Sequence, residues 1–428
     1  MKLRIRLKTD DFMICILLLM QLGFHTNTGY DDYVSMAVSF VVFLYFLMTK
    51  ANLAVFNFTK NARNYIVWYT LVVLFSCISV MWAEKSNLPQ VRQLIINTYI
   101  PVVFSVFSVS EYLRKGNDGL RLLEMMIAAE VLVSIRALLN TPFNELLSKF
   151  NTRLYGTNLG VNYNHFTTQF ALVFCVVLFL LYNVSRMYYI PGLFLLANII
   201  ISGSRKVLFV SVIAFVLLYI ISSSRTKLKS RLIRVLIVVV VLGVMMWVVF
   251  NNEFLNNLLG RKIIAGFSSM FNLDLASDDS EDVRRELLIV AGDVFRSHPV
   301  AGVGYYSFLF YNRFALYAHN NYMEVLADLG IIGFILYYSY YFIQIVSYFK
   351  MNSKKPKERF KIRIGTDFSR SKWNHLGFVF MFTLMLMEYG QVTFFRPYVL
   401  IPLLVVTMAI ENMKNSEEMK RRLDNVLQ

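Results

Sequence analysis

The chain has 428 residues, 57% hydrophobic and 15% aromatic but only 16% charged. A soluble globular protein holds about 45–50% apolar and about 25% charged residues, so the composition excludes an ordinary soluble enzyme. The formal charge of +16, from 43 Lys and Arg against 27 Asp and Glu, would suggest nucleic-acid binding in a soluble chain, but here the cations lie between long apolar runs.

About twelve runs approach the roughly 20 residues that a helix needs to cross a bilayer. They cover 12–24, 34–49, 65–82, 94–109, 120–140, 163–182, 187–201, 206–222, 235–250, 322–349, 374–390 and 398–411. Backbone groups in lipid must pair internally, and the sequence shows neither ten-residue dyad alternation nor barrel turns. The expectation is therefore an all-α polytopic membrane protein of about 12 transmembrane helices with one large late extracytoplasmic loop. Residues 1–250 would hold helices 1–9, residues 251–318 the loop with an amphipathic helix, residues 319–412 helices 10–12, and residues 413–428 a cytoplasmic tail. With the N-terminus inside, 29 basic residues fall on inner segments and 13 on outer ones, while Arg136 lies within a span. That asymmetry places both termini in the cytoplasm and accounts for the positive charge without nucleic acid. No small-residue cleavage site follows the first run, which reads as a retained helix rather than a signal peptide. Cys15, Cys77 and Cys175 fall inside apolar runs without CxxC spacing, as core packing would have them.

In chain order, the first polar group of interest is Asp31-Asp32, in the expected first outer loop. Asn162-Tyr163-Asn164 leads into the sixth run. Ser202-Gly203-Ser204-Arg205 ends the seventh, on the outer side. Arg205 could grip phosphate oxygens with its planar fork, or with Lys206 could anchor a helix among headgroups. The 68 residues from Asn251 to Ala318 carry 8 acidic and 6 basic side chains, and loops of that length in compact proteins are usually functional. Asp278, Asp279, Ser280, Glu281 and Asp282 suit a helix N-terminus ahead of an amphipathic stretch near Asp282–Arg296. A divalent metal site is the competing reading of that cluster, and no His accompanies it. Gly302-Val303-Gly304 lacks the preceding strand of a nucleotide fingerprint and reads as a tight turn with positive φ. The loop ends in His319-Asn320-Asn321, where an imidazole able to accept a proton near neutral pH meets a membrane helix. Behind it Glu324 and Asp328 share one helix face; acids in a span are functional by default, or neutralise a buried cation such as Arg136.

Taken together, RRELLIVAGDVFRSHPVAGVG (Arg284–Gly304) and AHNNYMEVLADLGIIGF (from Ala318) resemble the signature of the O-antigen ligase and polysaccharide polymerase superfamily. That pattern runs from an Arg to the Pro of a His-Pro pair fifteen residues later, then Gly-x-Gly, then His-Asn at the mouth of the next helix. Arg284 and Pro299 keep the spacing; Leu288 stands where the family often has Trp. Ser202–Arg205 and Asn162–Asn164 resemble two further family elements, so the resemblance spans roughly residues 155–345 by motif.

Members of that superfamily join glycans carried on a polyprenyl diphosphate at the outer leaflet. The resemblance implies Arg205 and Arg284 as diphosphate-binding residues and His319 as general base, with Asn164, His298, Asn320 and Glu324 in support and no metal or cofactor. It implies as partners a polyprenyl-diphosphate-linked oligosaccharide, the lipid bilayer, and other polysaccharide export and chain-length proteins, in a bacterial cytoplasmic membrane. A polymerase of capsule, exopolysaccharide or O-antigen is preferred to a ligase, since nothing suggests a protein-acceptor module. Two other readings are a lipid-linked glycan flippase, against which no duplicated pair of interrupted spans is found, and a transferase using Asp31 and Asp32, which resemble the acidic pair of polyprenyl-phosphate-sugar transferases.

Overall fold

The computed structural model describes residues 8–23, 30–50, 58–83, 87–142, 163–221, 279–353 and 367–426, with isolated positions between them. Twelve α-helices run through these segments: α1 (Thr9–Gly23), α2 (Tyr30–Met48), α3 (Lys60–Ile78, extended by a 3-10 turn to Trp82), α4 (Leu88–Arg114), α5 (Gly119–Leu139), α6 (Tyr163–Asn183), α7 (Tyr189–Ser202), α8 (Arg205–Ile221), α9 (Asp279–Ser297), α10 (Asn321–Ser353), α11 (Asp367–Glu388) and α12 (Pro397–Val426). Eleven of the twelve apolar runs coincide with one of these helices, and the run at 235–250 lies, isolated positions aside, outside the described residues. Lys60–Trp82, Leu88–Arg114, Asn321–Phe349 and Pro397–Ser416 are long and apolar enough to cross a membrane, and four further apolar helices are shorter. The protein is an all-helical membrane protein over its described residues.

Helix α12 is the hub. Residues 397–410 are buried without a break, and the helix packs on α1, α3, α4, α5, α6 and α11. A helix apolar on every side belongs in a core. Within 413–428 the chain is helical, α12 continuing as far as Val426; its Glu, Met, Lys and Arg residues are strong helix formers. Helix α4 widens into a π-turn at Ile95–Tyr99, directly before Pro101, whose missing N–H and ring an unbroken α-ladder would not accommodate. Asp31 and Asp32 sit in the first turn of α2, not in a loop, and Asp32 accepts a hydrogen bond from Asn97 Nδ2 at 2.8 Å.

The two ends of the bundle differ. At one end Asp11 accepts from Tyr112 and pairs with Arg121, Lys115 pairs with Asp10, and Glu111 holds both Arg114 and Lys50. At the other end lie the junctions of α3 with α4, α7 with α8 and α11 with α12, together with the start of α10, all under the segment 299–320.

Candidate functional site

The scaffold of the site is a broken helix. Helix α10 is interrupted at Gly330, whose φ of 63° and ψ of −165° are non-helical. The segment Pro299–Gly304 lies in the break. Ile331 N–H donates to Pro299 O and Ile332 N–H to Val300 O, while Val303 and Gly304 N–H donate to the carbonyls of Ala327 and Asp328, at 2.8–3.2 Å. Four backbone groups freed by the break are thus satisfied, as burial requires. The approach is too close for side chains: a Cβ on Gly302 would lie 2.4 Å from Asp328 C and O, and one on Gly330 2.4 Å from Val300 O. Gly302 and Gly304 have φ of 67° and 102°, the positive values expected of a tight turn.

Asp328 then fixes the next turn. Its buried carboxylate accepts the backbone N–H groups of Tyr306, Ser307 and Phe308 at 2.9, 3.0 and 2.8 Å. Asn312 continues the ordering, donating to Phe308 O and Leu316 O and accepting from Phe314 N–H and Leu316 N–H. Asn87, ahead of α4, and Ser79 tie the turn to the membrane helices through Tyr305 and Ser307. Neither Glu324 nor Asp328 neutralises Arg136, which donates to Gly23 O.

This framework delivers His319. Glu324, buried four residues down α10, accepts the N–H of Ala318 at 2.5 Å. Asn320 caps α10, its side-chain oxygen accepting from Met323 N–H at 3.1 Å. Between these two anchors His319 has a φ of 53°, an uncommon conformation for a residue with a Cβ, and such outliers concentrate at functional sites. Its ring lies 4.2 Å from that of Tyr317, centroid to centroid, and the imidazole has no hydrogen-bond partner among the described residues. Burial, and then the positive charges of Arg284 and Lys206, hold its pKa down at about 4. The imidazole is therefore neutral at pH 7, with a free lone pair.

The cations around it are uncompensated. Arg284 lies on α9 and acts electrostatically on His319 and Tyr317, yet among the described residues no carboxylate pairs with it. Lys206, in the first turn of α8, donates to Met387 O at 3.2 Å and to Gln391 Oε1 at 3.5 Å. Gln391 also accepts from Thr168 and donates to Tyr398. Arg396, just before α12, lies over the ring of Phe395 at 4.6 Å and also faces Tyr317. The N-terminal ends of α8, α10 and α12 converge here: Lys206 reaches the 387–391 turn, and Asn321 accepts from the N–H groups of Thr393 and Phe394. The side-chain cations and the free N–H groups of these helix starts favour an anion, while α7 and α11 end at the same junctions.

The other expected residues fall as follows. Ser202-Gly203-Ser204-Arg205 forms the α7–α8 junction: Gly203 ends α7 at a φ of 60° and Arg205 opens α8. The side chains of Arg205 and Asn164 lie outside the described residues, as does Asn162. Helix α9 is described from Asp279 onward, and Asp278 of the acidic cluster lies outside the described residues. His298 is not brought to the group. It is exposed at the far end of α9, its ring 6.4 Å from that of Tyr311, about 21 Å along the helix from Arg284. Lys206 and Arg396 carry no motif; only the convergence of three helix starts reveals them.

Residues 190–338 match the profile of the family described as O-antigen ligase. The match begins in α7, contains Ser202–Arg205, α9, the Gly302–Gly304 turn and His319, and ends beyond the break in α10. No curated protein matches the chain. The resemblance read from the motifs is thereby supported over that span.

Proposed function

With that family match as premise, we propose that the protein is a membrane glycosyltransferase that polymerises oligosaccharide repeats carried on polyprenyl diphosphate, at the outer face of the bacterial cytoplasmic membrane. The single observation that carries this reading is His319, neutral and unengaged, set beside uncompensated cations. Arg284 and Lys206, with Arg205 at the same helix start, bind the donor diphosphate. His319 accepts the proton of an acceptor hydroxyl as that oxygen attacks the anomeric carbon, and the carbon–diphosphate bond breaks with its electron pair leaving on the diphosphate. Attack from the face opposite the leaving group inverts the anomeric centre.

An imidazole with a pKa of about 4 is a weak base in the free enzyme. The bound diphosphate offsets the charges of Arg284 and Lys206 that depress it, so the base strengthens when the donor arrives. Glu324, Asn320 and Asp328 position the base without touching substrate. The basic residues of the opposite end fit its assignment to the cytoplasm.

A ligase that passes a finished polymer to an acceptor would use the same atoms. A glycan ladder from a deletion strain separates the two: loss of a polymerase leaves single repeats, and loss of a ligase leaves long chains on the carrier. Complementation by His319→Ala should fail in either case. A flippase would move the lipid-linked repeat without joining repeats, and His319→Ala would then still yield full-length polymer.

A further inference from the structure

Arg396 is not needed for the reaction just described, and its surroundings are unusual. Its carbonyl accepts from Val399 and Leu400 N–H at 3.0 and 3.1 Å, which puts a guanidinium at the N-cap of α12. That position favours small acceptor side chains and negative charge, so a cation there is electrostatically unfavourable. Its Nε is buried with no hydrogen-bond partner. No carboxylate pairs with it among the described residues. Tyr305, Tyr306, Tyr317 and Tyr398 all feel its charge, and the rings of Tyr305 and Tyr306 stand 6.1 and 6.0 Å from the Phe395 ring that it covers.

Tyr317 links this group electrostatically to the cations beside His319. Its ring lies 4.2 Å from that of His319, tilted by 45°, and it responds to both Arg284 and Arg396. Tyr317 thus feels both groups of cations, Arg284 from the one and Arg396 from the other. A phosphate-only pocket has no use for a wall of tyrosines, whereas aromatic faces and phenol hydroxyls suit a sugar ring. An acceptor whose hydroxyl reaches His319 lies against Tyr317, which the charge of Arg396 also reaches.

We propose that Arg396, with Tyr305, Tyr306 and Tyr317, forms an acceptor subsite for an acidic sugar, a uronic-acid-type residue whose carboxylate pairs with the guanidinium fork. This rests on the glycosyl-transfer reading above and names its acceptor class. Planar bidentate pairing through the two Nη groups explains an arginine.

The test uses the full-length protein in lipid nanodiscs and the producing cell's own lipid-linked repeat, either native or with its carboxyl groups reduced to alcohols. In the wild type, reduction should raise KM by about ten- to hundredfold, the range of a hydrogen-bonded charge pair. Arg396→Gln should raise KM for the native repeat by a similar factor and abolish the difference between the two substrates. Arg396→Lys, which keeps the charge and loses the fork, should fall between them. The proposal is overturned if the native repeat holds no acidic sugar, if the wild type uses both substrates equally, or if Arg396→Gln impairs both alike. Should Arg396→Gln not fold, the wild-type substrate ratio and Arg396→Lys decide the matter. Transfer surviving in His319→Ala would refute the catalytic reading separately, since the KM ratio is judged independently of it.

Discussion

The two ends of this bundle handle positive charge in opposite ways. At the end built around Asp11, Arg121, Glu111 and Lys115, cations have carboxylate partners 2.6–3.5 Å away. At the end built around His319, Lys206, Arg284 and Arg396 gather beside three helix N-termini with no such partner among the described residues. Paired charges hold a fold together and need nothing further. Like charges gathered without counter-charge repel one another, and a folded protein retains them where a ligand supplies the missing anion. The lesson is that substitutions at the paired end should lower stability and spare transfer, while neutral substitutions at the unpaired end should do the reverse.

The sharpest break of this contrast lies at Arg284. Arg284→Gln should reduce transfer by about 10²–10³-fold, as loss of one charge-stabilising donor does, while thermal unfolding stays the same or improves. A large fall in melting temperature would place Arg284 with the structural charges instead. Asp328→Asn comes next and should affect both properties. It weakens three hydrogen bonds that seat the 306–308 turn, for a cost of roughly 2–4 kcal/mol, and it should slow transfer by about tenfold or more through misplacement of His319. Normal activity in a destabilised Asp328→Asn protein would show that the turn does not position the base.

Smaller effects test the paired end and the pH response. Asp11→Ala should lower stability by about 2 kcal/mol, because Tyr112 and Arg121 lose a buried acceptor, with unchanged kcat/KM in a transfer assay. For pH, the base is active when neutral, and burial with Arg284 and Lys206 puts its pKa at about 4. The kcat/KM should therefore hold steady down to mildly acidic pH and fall as pH drops through about 4. Arg284→Gln removes one repelling charge and should move that fall to higher pH. The kcat profile of the wild type should also fall at higher pH than kcat/KM, since bound diphosphate raises the imidazole pKa. A limb in Arg284→Gln that stays in place would separate the titrating group from Arg284.

How far the sequence reveals the molecule differs from element to element. Helices follow from apolar runs, because length and hydropathy are local properties; α6 at 163–183 matches its expected 163–182 almost to the residue. His319 and Arg284 are legible from their motif. The break at Gly330 is not, because the apolar run passes through it, and only the carbonyls of Pro299 and Val300 make a non-helical residue acceptable there. Asp328 reads as a functional acid in sequence, yet it spends its oxygens on backbone N–H groups twenty or more residues away. His298 is over-read for the opposite reason: sharing a motif with Pro299 says nothing of the helix length that separates it from Arg284. Lys206 and Arg396 are hidden because a charge count treats them as ordinary outer-face residues. Their significance depends on three distant helix starts meeting.

The central claim is that Arg284 and Lys206 bind the lipid diphosphate while His319 performs the proton transfer. Binding of a polyprenyl-diphosphate oligosaccharide and transfer of its glycan, measured on the same preparation of His319→Ala, tests that division directly. The account predicts a Kd within about threefold of wild type and transfer reduced by about 10³-fold or more. Polymer formed by His319→Ala at the wild-type rate, or loss of diphosphate binding on its removal, would contradict it.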